Sequence, residues 1–255
     1  MKKPDRNALL AILVVILIGF GVALAGSQGG ASVLGIPIFA LSVGIAFLFQ
    51  WLAFIPAFIL QSEKFFDLTG SLTYITVAVT AVLLSPVVDG RSILLMALVV
   101  VWALRLGTFL VRRIQKAGKD ARFDELKPSF FRFLSTWTLQ GLWVTFTIAA
   151  ALAAITTATR QPLGIFALIG LLIWALGFSI EAVADAQKSR FRADPNNRGK
   201  FIQTGLWSRS RHPNYFGEIV IWIGVAIIAV PVLRGWQWVT LISPVFVILL
   251  LTRIS

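Results

Sequence analysis

Long runs of apolar residues alternate along the chain with short polar connections, on a scale too long for the period of any single amphipathic helix or strand. Crossing about 30 Å of hydrocarbon takes about 20 largely apolar residues. Eight stretches qualify or come close: 7–26, 36–60, 71–88, 92–112, 133–157, 162–187, 213–231 and 236–253. They predict an all-α, polytopic transmembrane helix bundle of about seven to eight spans. The stretch from Ser71 to Val88 is the shortest and the richest in Thr, so a seven-span count would drop it first. No internal repeat or low-complexity segment interrupts the pattern. The longest polar stretches, Gln115 to Arg132 and Lys188 to His212, are too short to fold alone.

The connections orient the bundle, because cytoplasmic loops carry the excess of Lys and Arg. Of 23 such residues, 19 fall on one side: Lys2, Lys3, Arg6, Lys64, the 112–132 and 188–211 clusters, and Arg253. Arg91, Arg160 and Arg234 fall on the other, and Arg105 lies within a span. Both termini are therefore expected in the cytoplasm. Lys2, Lys3 and Arg6 ahead of an apolar run ending in Ala23-Leu24-Ala25 also resemble a signal peptide, but the run is long for one and is read as a retained span.

Composition sharpens the class. Of 255 residues, 58% are hydrophobic and 13% charged, with a mean hydropathy of +0.86, far from the roughly half apolar and quarter charged usage of soluble domains. The net charge of +12 accompanies nine Trp and twenty Phe, which suits basic loops beside membrane lipids and argues against nucleic acid as a partner. No obligatory protein partner is implied. With no Cys and one His, thiolate chemistry and a multi-histidine metal site are excluded, so any redox chemistry needs a bound organic cofactor.

Ionisable groups at membrane depth cost at least about 2.5–3.5 kcal/mol and need a partner, a wet cavity or a function. Glu181, Asp185, Lys188 and Arg192 follow one another at helical spacing on a single face. They form either a row of structural ion pairs near the helix end or two carboxylates that accept bonds from ribose hydroxyls or an amide. The segment Arg190 to Lys200, and then Thr204 to Glu218, combines cations suited to phosphate with Gly199 and Gly205, while Pro213 suits a first helical turn. Positive-inside topology also accounts for these cations, but it does not call for Glu218 inside the next span. Arg105 pairs with an interior carboxylate or receives a ligand anion, and Glu63 is an interfacial charge or faces a substrate cavity.

The segment Arg211-His212-Pro213-Asn214-Tyr215-Phe216-Gly217-Glu218 resembles a signature of membrane steroid and sterol reductases and, more loosely, of isoprenylcysteine and phospholipid methyltransferases. Leu176 to Glu218 and Gln61 to Tyr74 resemble a bacterial branch of the steroid 5α-reductase family, with similarity over most of the chain from the second span onward. The resemblance implies a multi-pass enzyme, in a bacterial cytoplasmic membrane, that uses NADPH to reduce the Δ4 double bond of a 3-oxo steroid or similar lipid enone. Residues 1–255 would then form one transmembrane catalytic domain with cytoplasmic loops at about 113–132 and 188–212.

By motif, the resemblance implies cofactor contacts at Arg105, Glu181, Asp185, Arg192, Lys200, Arg211, His212, Asn214, Tyr215, Glu218 and Arg253, and no metal. It implies a catalytic Glu in the second span, matched by Glu63, and a Tyr three residues before the mid-chain Arg, where this chain has Trp102. An indole cannot protonate an enolate. Either Glu63 then works alone, protonated where desolvation raises its pKa, or Tyr74 supplies the phenol from another helix. The family also continues past its last span into a short basic and aromatic tail, whereas this sequence runs to Ser255. A lipid S-adenosylmethionine methyltransferase and a non-enzymatic lipid-binding protein are the competing readings.

Overall fold

A computed structural model describes residues 3–254; Lys2, counted above among the cytoplasmic cations, and Ser255 lie outside them. The chain forms α1 (Lys3–Ser27), a short hairpin of β1 (Ser32–Val33) and β2 (Ile36–Pro37), then α2 (Ile38–Ile59), α3 (Phe66–Leu84), α4 (Gly90–Ala117), α5 (Phe130–Thr156), α6 (Ile165–Ala193), α7 (Pro213–Ala229) and α8 (Ile242–Leu249). A 3₁₀ segment, Gly235–Leu241, precedes α8 and a π-helical turn, Leu250–Ile254, follows it. Among the described residues eight helical crossings are long and apolar enough for a membrane, including the Thr-rich α3. α4 and α6 outrun their expected ends because the basic residues after each apolar run continue the helix beyond the hydrocarbon.

Local chemistry sets several of these ends. Asp89 caps α4 by accepting from the Ser92 N–H and hydroxyl, each at 2.8 Å. Pro213 opens α7, where its missing N–H costs nothing. The C-terminal half of α5 is a buried run, Ala149-Ala150-Ala151-Leu152-Ala153-Ala154-Ile155, whose small side chains let neighbouring helices approach.

The tightest pairing is α6 against α7. A Cβ on Gly177 would lie 2.6 Å from the Gly217 carbonyl oxygen, and one on Gly224 would lie 2.6 Å from that of Gly170. Gly170 and Gly177 are seven apart, as are Gly217 and Gly224, so each pair recurs every two turns on one face. This close approach brings the polar end of α6 beside the start of α7.

The two ends of the bundle separate cleanly. At one end Ser129 donates to Asp5 (2.6 Å), Lys127 pairs with Glu63 (2.7 Å) and Arg113 with Asp67 (3.1 Å). At the other, Gly30 bridges Thr157, the Trp236 N–H bonds Gln28, and Arg91 reaches the Gln161 and Pro162 carbonyls at 3.0 and 3.2 Å. The first end holds the basic clusters, the side that the charge rule expects to face the cytoplasm.

Candidate active site

At the basic end, α3, α4, α5, α6 and α7 surround a cavity of about 250 Å³. On α4, Arg105 bonds the Asp185 carboxylate at 2.6 Å, pairs with Glu181, and lies over the Phe178 ring at 5.8 Å. The two acids are one turn apart on α6, and their side chains are 3% and 6% exposed. Asn214, in the first turn of α7, donates to the other Asp185 oxygen at 3.3 Å. Glu218, one turn further on, lines the cavity and makes no hydrogen bond or ion pair among the described residues. One guanidinium thus faces three carboxyl groups.

The inner end is aromatic. Tyr74 on α3 meets Trp102 on α4 edge to face, with centroids 5.0 Å apart, and Trp102 meets Trp222 on α7 in the same way at 4.9 Å. Tyr74 and Trp102 line the cavity, so the alternative phenol from another helix stands beside the indole at the family's Tyr position. Trp222 lies one turn beyond Glu218 on the same face of α7.

Two acceptors in this cluster have no partner: Glu181 Oε2 and Asn214 Oδ1 are buried without a hydrogen bond. Leaving such groups unmade costs about 1–3 kcal/mol each. They fit a ligand that brings donors, such as ribose hydroxyls or a carboxamide.

The remaining expected contacts form a second group. Arg192 and Lys200 line an open groove between Phe191 and Lys200 with a volume of about 470 Å³. Arg192 is seven residues beyond Asp185, about 10 Å along the helix at about 1.5 Å per residue. The chain beyond this groove is pinned back on α6: Leu206 N–H donates to Gln187 Oε1 (3.0 Å), Trp207 Nε1 to the Ala184 carbonyl (3.0 Å), and Lys188 lies 4.6 Å over the Trp207 ring. Gly205 permits this approach, with φ of +61° and Gln187 2.5 Å from where a Cβ would sit. His212 is exposed and stacked on Tyr215 at 4.8 Å, and Tyr215 lines the cavity; Arg211 and Arg253 are exposed.

Glu63 is held elsewhere. Its carboxylate accepts from Lys127 Nζ at 2.7 Å and from the Asp120 N–H at 2.8 Å, and it is not among the residues lining the cavity. Burial pushes its pKa up, but the bonds from Lys127 and Asp120 outweigh this and hold the carboxyl below the usual carboxylate range. Of the two readings open for Glu63, this geometry favours the interfacial charge, an ionised clasp for the 118–129 loop, which Phe123 also anchors against Phe66 at 5.0 Å. Sequence reasoning missed Gln140, which donates to the Phe66 carbonyl (3.2 Å), lines the cavity and leaves its own Oε1 unpartnered. A lone amide inside an apolar span was the available signal.

These features define an integral, multi-pass helical membrane protein with a polar cavity between its helices. Residues 53–255 match the family described as a protein of unknown function, DUF1295, and the chain belongs to that family. The family is steroid 5α-reductase-like, so the resemblance holds at that level. A Delta(14)-sterol reductase of Gibberella zeae is 39% identical over 70 residues, covering 22% of this chain and 14% of that protein. A Delta(14)-sterol reductase of Methylotuvimicrobium alcaliphilum is 31% identical over 112 residues, 38% of this chain and 26% of the relative. A probable O-methyltransferase of Ustilaginoidea virens is 36% identical over 58 residues, 23% and 20% respectively. The chain spans about a quarter or less of the length of these curated relatives. No solved structure matches it.

Proposed function

We propose that the protein is an NADPH-dependent reductase of a carbon-carbon double bond in a flat lipid, such as the Δ4 bond of a 3-oxo steroid. The observation that carries this reading is the pair of orphaned acceptors, Glu181 Oε2 and Asn214 Oδ1, in a cavity between a basic groove and an aromatic inner end. Arg105 holds Glu181 and Asp185 in place, so the orphaned oxygens can accept from nucleotide hydroxyl or amide donors. Arg192, Lys200 and the neighbouring cations take the phosphates, Arg by paired donors and Lys as a point charge. NADPH, when bound, supplies the hydride. The lipid enters from the bilayer, the apolar helices exclude water from the reacting end, and the Tyr74 hydroxyl bonds the substrate oxygen as negative charge builds there.

The test is to incubate the detergent-purified protein with NADPH deuterated at the transferring position and a panel of 3-oxo-Δ4 steroids and unsaturated sterols. The reading expects a product heavier by one deuterium and one proton. Absence of reduced product across the panel, with nucleotide bound, would sink it. A second reading, an S-adenosylmethionine-dependent lipid methyltransferase, is favoured by the likeness to the O-methyltransferase; it leaves the cations of the Phe191–Lys200 groove without a phosphate to bind.

A further inference from the structure

We propose that Glu218, acting with Tyr74 and Trp102, is the acid that faces the reacting lipid in this chain. The proposal rests on the reductase reading and assigns its proton. Three observations converge on it. Glu63 is tied to Lys127 and the Asp120 N–H and is not among the cavity's lining residues. Glu218 lines that cavity with no hydrogen bond or ion pair among the described residues, while the two neighbouring acids are held by Arg105. Trp102 is 2% exposed, lines the same cavity, and has an indole N–H with no acceptor.

An unpartnered carboxyl between membrane helices marks a working site more often than a structural one. Asn214, Glu218 and Trp222 follow at steps of four along α7, which places Glu218 between the nucleotide-facing amide and the aromatic inner end. The rings of Tyr74 and Trp102 meet edge to face at that end. The Trp102 N–H is unpartnered and the Tyr74 hydroxyl bonds Thr147, so an acceptor oxygen on a flat ligand takes the free indole donor and competes with Thr147 for the phenol.

The step balances. The hydride and its electron pair form a new C–H bond at the β-carbon of the enone, and the carbon-carbon π bond breaks toward the carbonyl oxygen, which Tyr74 and Trp102 hold. A proton from Glu218 forms the second C–H bond at the α-carbon. The resulting carboxylate regains a proton from solvent at the basic end. Trp102 thus replaces the phenol's hydrogen bond without replacing its acidity, and Glu218 supplies what an indole cannot.

The experiment uses the purified full chain in three forms, wild type, Glu218→Gln and Trp102→Phe, with Glu218→Asp as a conservative fourth. NADPH binding and binding of a 3-oxo-Δ4 steroid without nucleotide are each read by thermal shift, and turnover is measured separately. Expected are NADPH dissociation constants within about threefold of wild type in all forms, steroid binding weakened about tenfold by Trp102→Phe, and turnover lowered at least about a hundredfold by Glu218→Gln and less by Glu218→Asp. Loss of NADPH binding in Glu218→Gln with steroid binding intact would make Glu218 a nucleotide contact and overturn the proposal. Full turnover in that variant would overturn it too. If the wild type bound steroid but no nucleotide, the reductase reading itself would fall, a different outcome from either.

Discussion

The two ends of the bundle both bury charge, and they treat it in opposite ways. At the end away from the basic loops, Arg91 is 2% exposed and places both terminal nitrogens on the Gln161 and Pro162 carbonyls. Arg160 bonds the Ser92 hydroxyl (2.9 Å) and the Ile155 carbonyl (3.3 Å) and pairs with Asp89 at 3.5 Å. Arg234 donates to the Pro231 and Leu233 carbonyls. Protein groups take up both terminal nitrogens of Arg91 and Arg160 and one of Arg234. At the basic end, Arg105 is equally committed, but Glu181 Oε2, Asn214 Oδ1 and Glu218 are left over. Among the described residues the far end leaves over only donor nitrogens, Arg91 Nε, Arg160 Nε and Gln237 Nε2, whereas the cavity at the basic end leaves over acceptor oxygens that suit a ligand with donors.

The comparison breaks most visibly at Arg105. Replacing it with Met leaves Glu181 and Asp185 buried without a counter-charge, which costs about 3–5 kcal/mol when one partner of a buried pair is removed. Both the melting temperature and the NADPH-induced shift should fall. Arg91→Met should cost about 1–3 kcal/mol by orphaning two loop carbonyls, yet leave the NADPH dissociation constant unchanged. Equal damage to binding from both variants would erase the distinction between the ends.

Gly177→Ala probes the link between packing and site. A methyl group 2.6 Å from the Gly217 oxygen must push α6 and α7 apart, at about 1–3 kcal/mol for overpacking. Nucleotide binding should weaken more than stability alone accounts for, because Glu181 and Asn214 ride on the two separated helices. Binding measured on the remaining folded protein separates the two effects.

Glu63 gives the smallest effect and the clearest sign. Its folded pKa lies below its unfolded value, so the clasp stabilises above the ordinary carboxylate range and is lost as pH falls through the lowered value. Glu63→Gln should lower the melting temperature near neutral pH by the equivalent of about 1–2 kcal/mol. The gap to wild type should close as the pH falls below the ordinary carboxylate range. A gap that widened on acidification would mean that Glu63 is held protonated after all.

Much of this organisation was legible in the sequence. The apolar runs marked the crossings because hydrocarbon thickness sets their length, and the α3 run held even though Thr diluted it. Arg105, Glu181, Asp185 and Glu218 stood out because charge inside a span is costly, and helical spacing put the acids on one face. Glu63 stayed open between an interfacial charge and a cavity group because its partner Lys127 lies 64 residues away in a polar loop, a pairing that no local pattern encodes. Arg91 was visible only as a charge outside the bilayer, since the loop carbonyls it binds have no side-chain signature, and Arg160 likewise, since Ser92 and Asp89 lie about 70 residues away. Trp102 was marked only through the family's Tyr position, and Trp222 looked like an ordinary span residue until the bundle brought its ring to Trp102 and Tyr74.

The most direct test of the central claim is a thermal-shift titration of the detergent-purified protein with NADPH, NADH and S-adenosylmethionine, since a ligand that binds only the folded state raises the melting temperature by mass action. The account predicts a saturable rise with NADPH, a weaker one with NADH and none with S-adenosylmethionine, and the NADPH preference should shrink when Arg192 and Lys200 are both changed to Ala. A rise with S-adenosylmethionine alone, or no rise with any of the three, would contradict it.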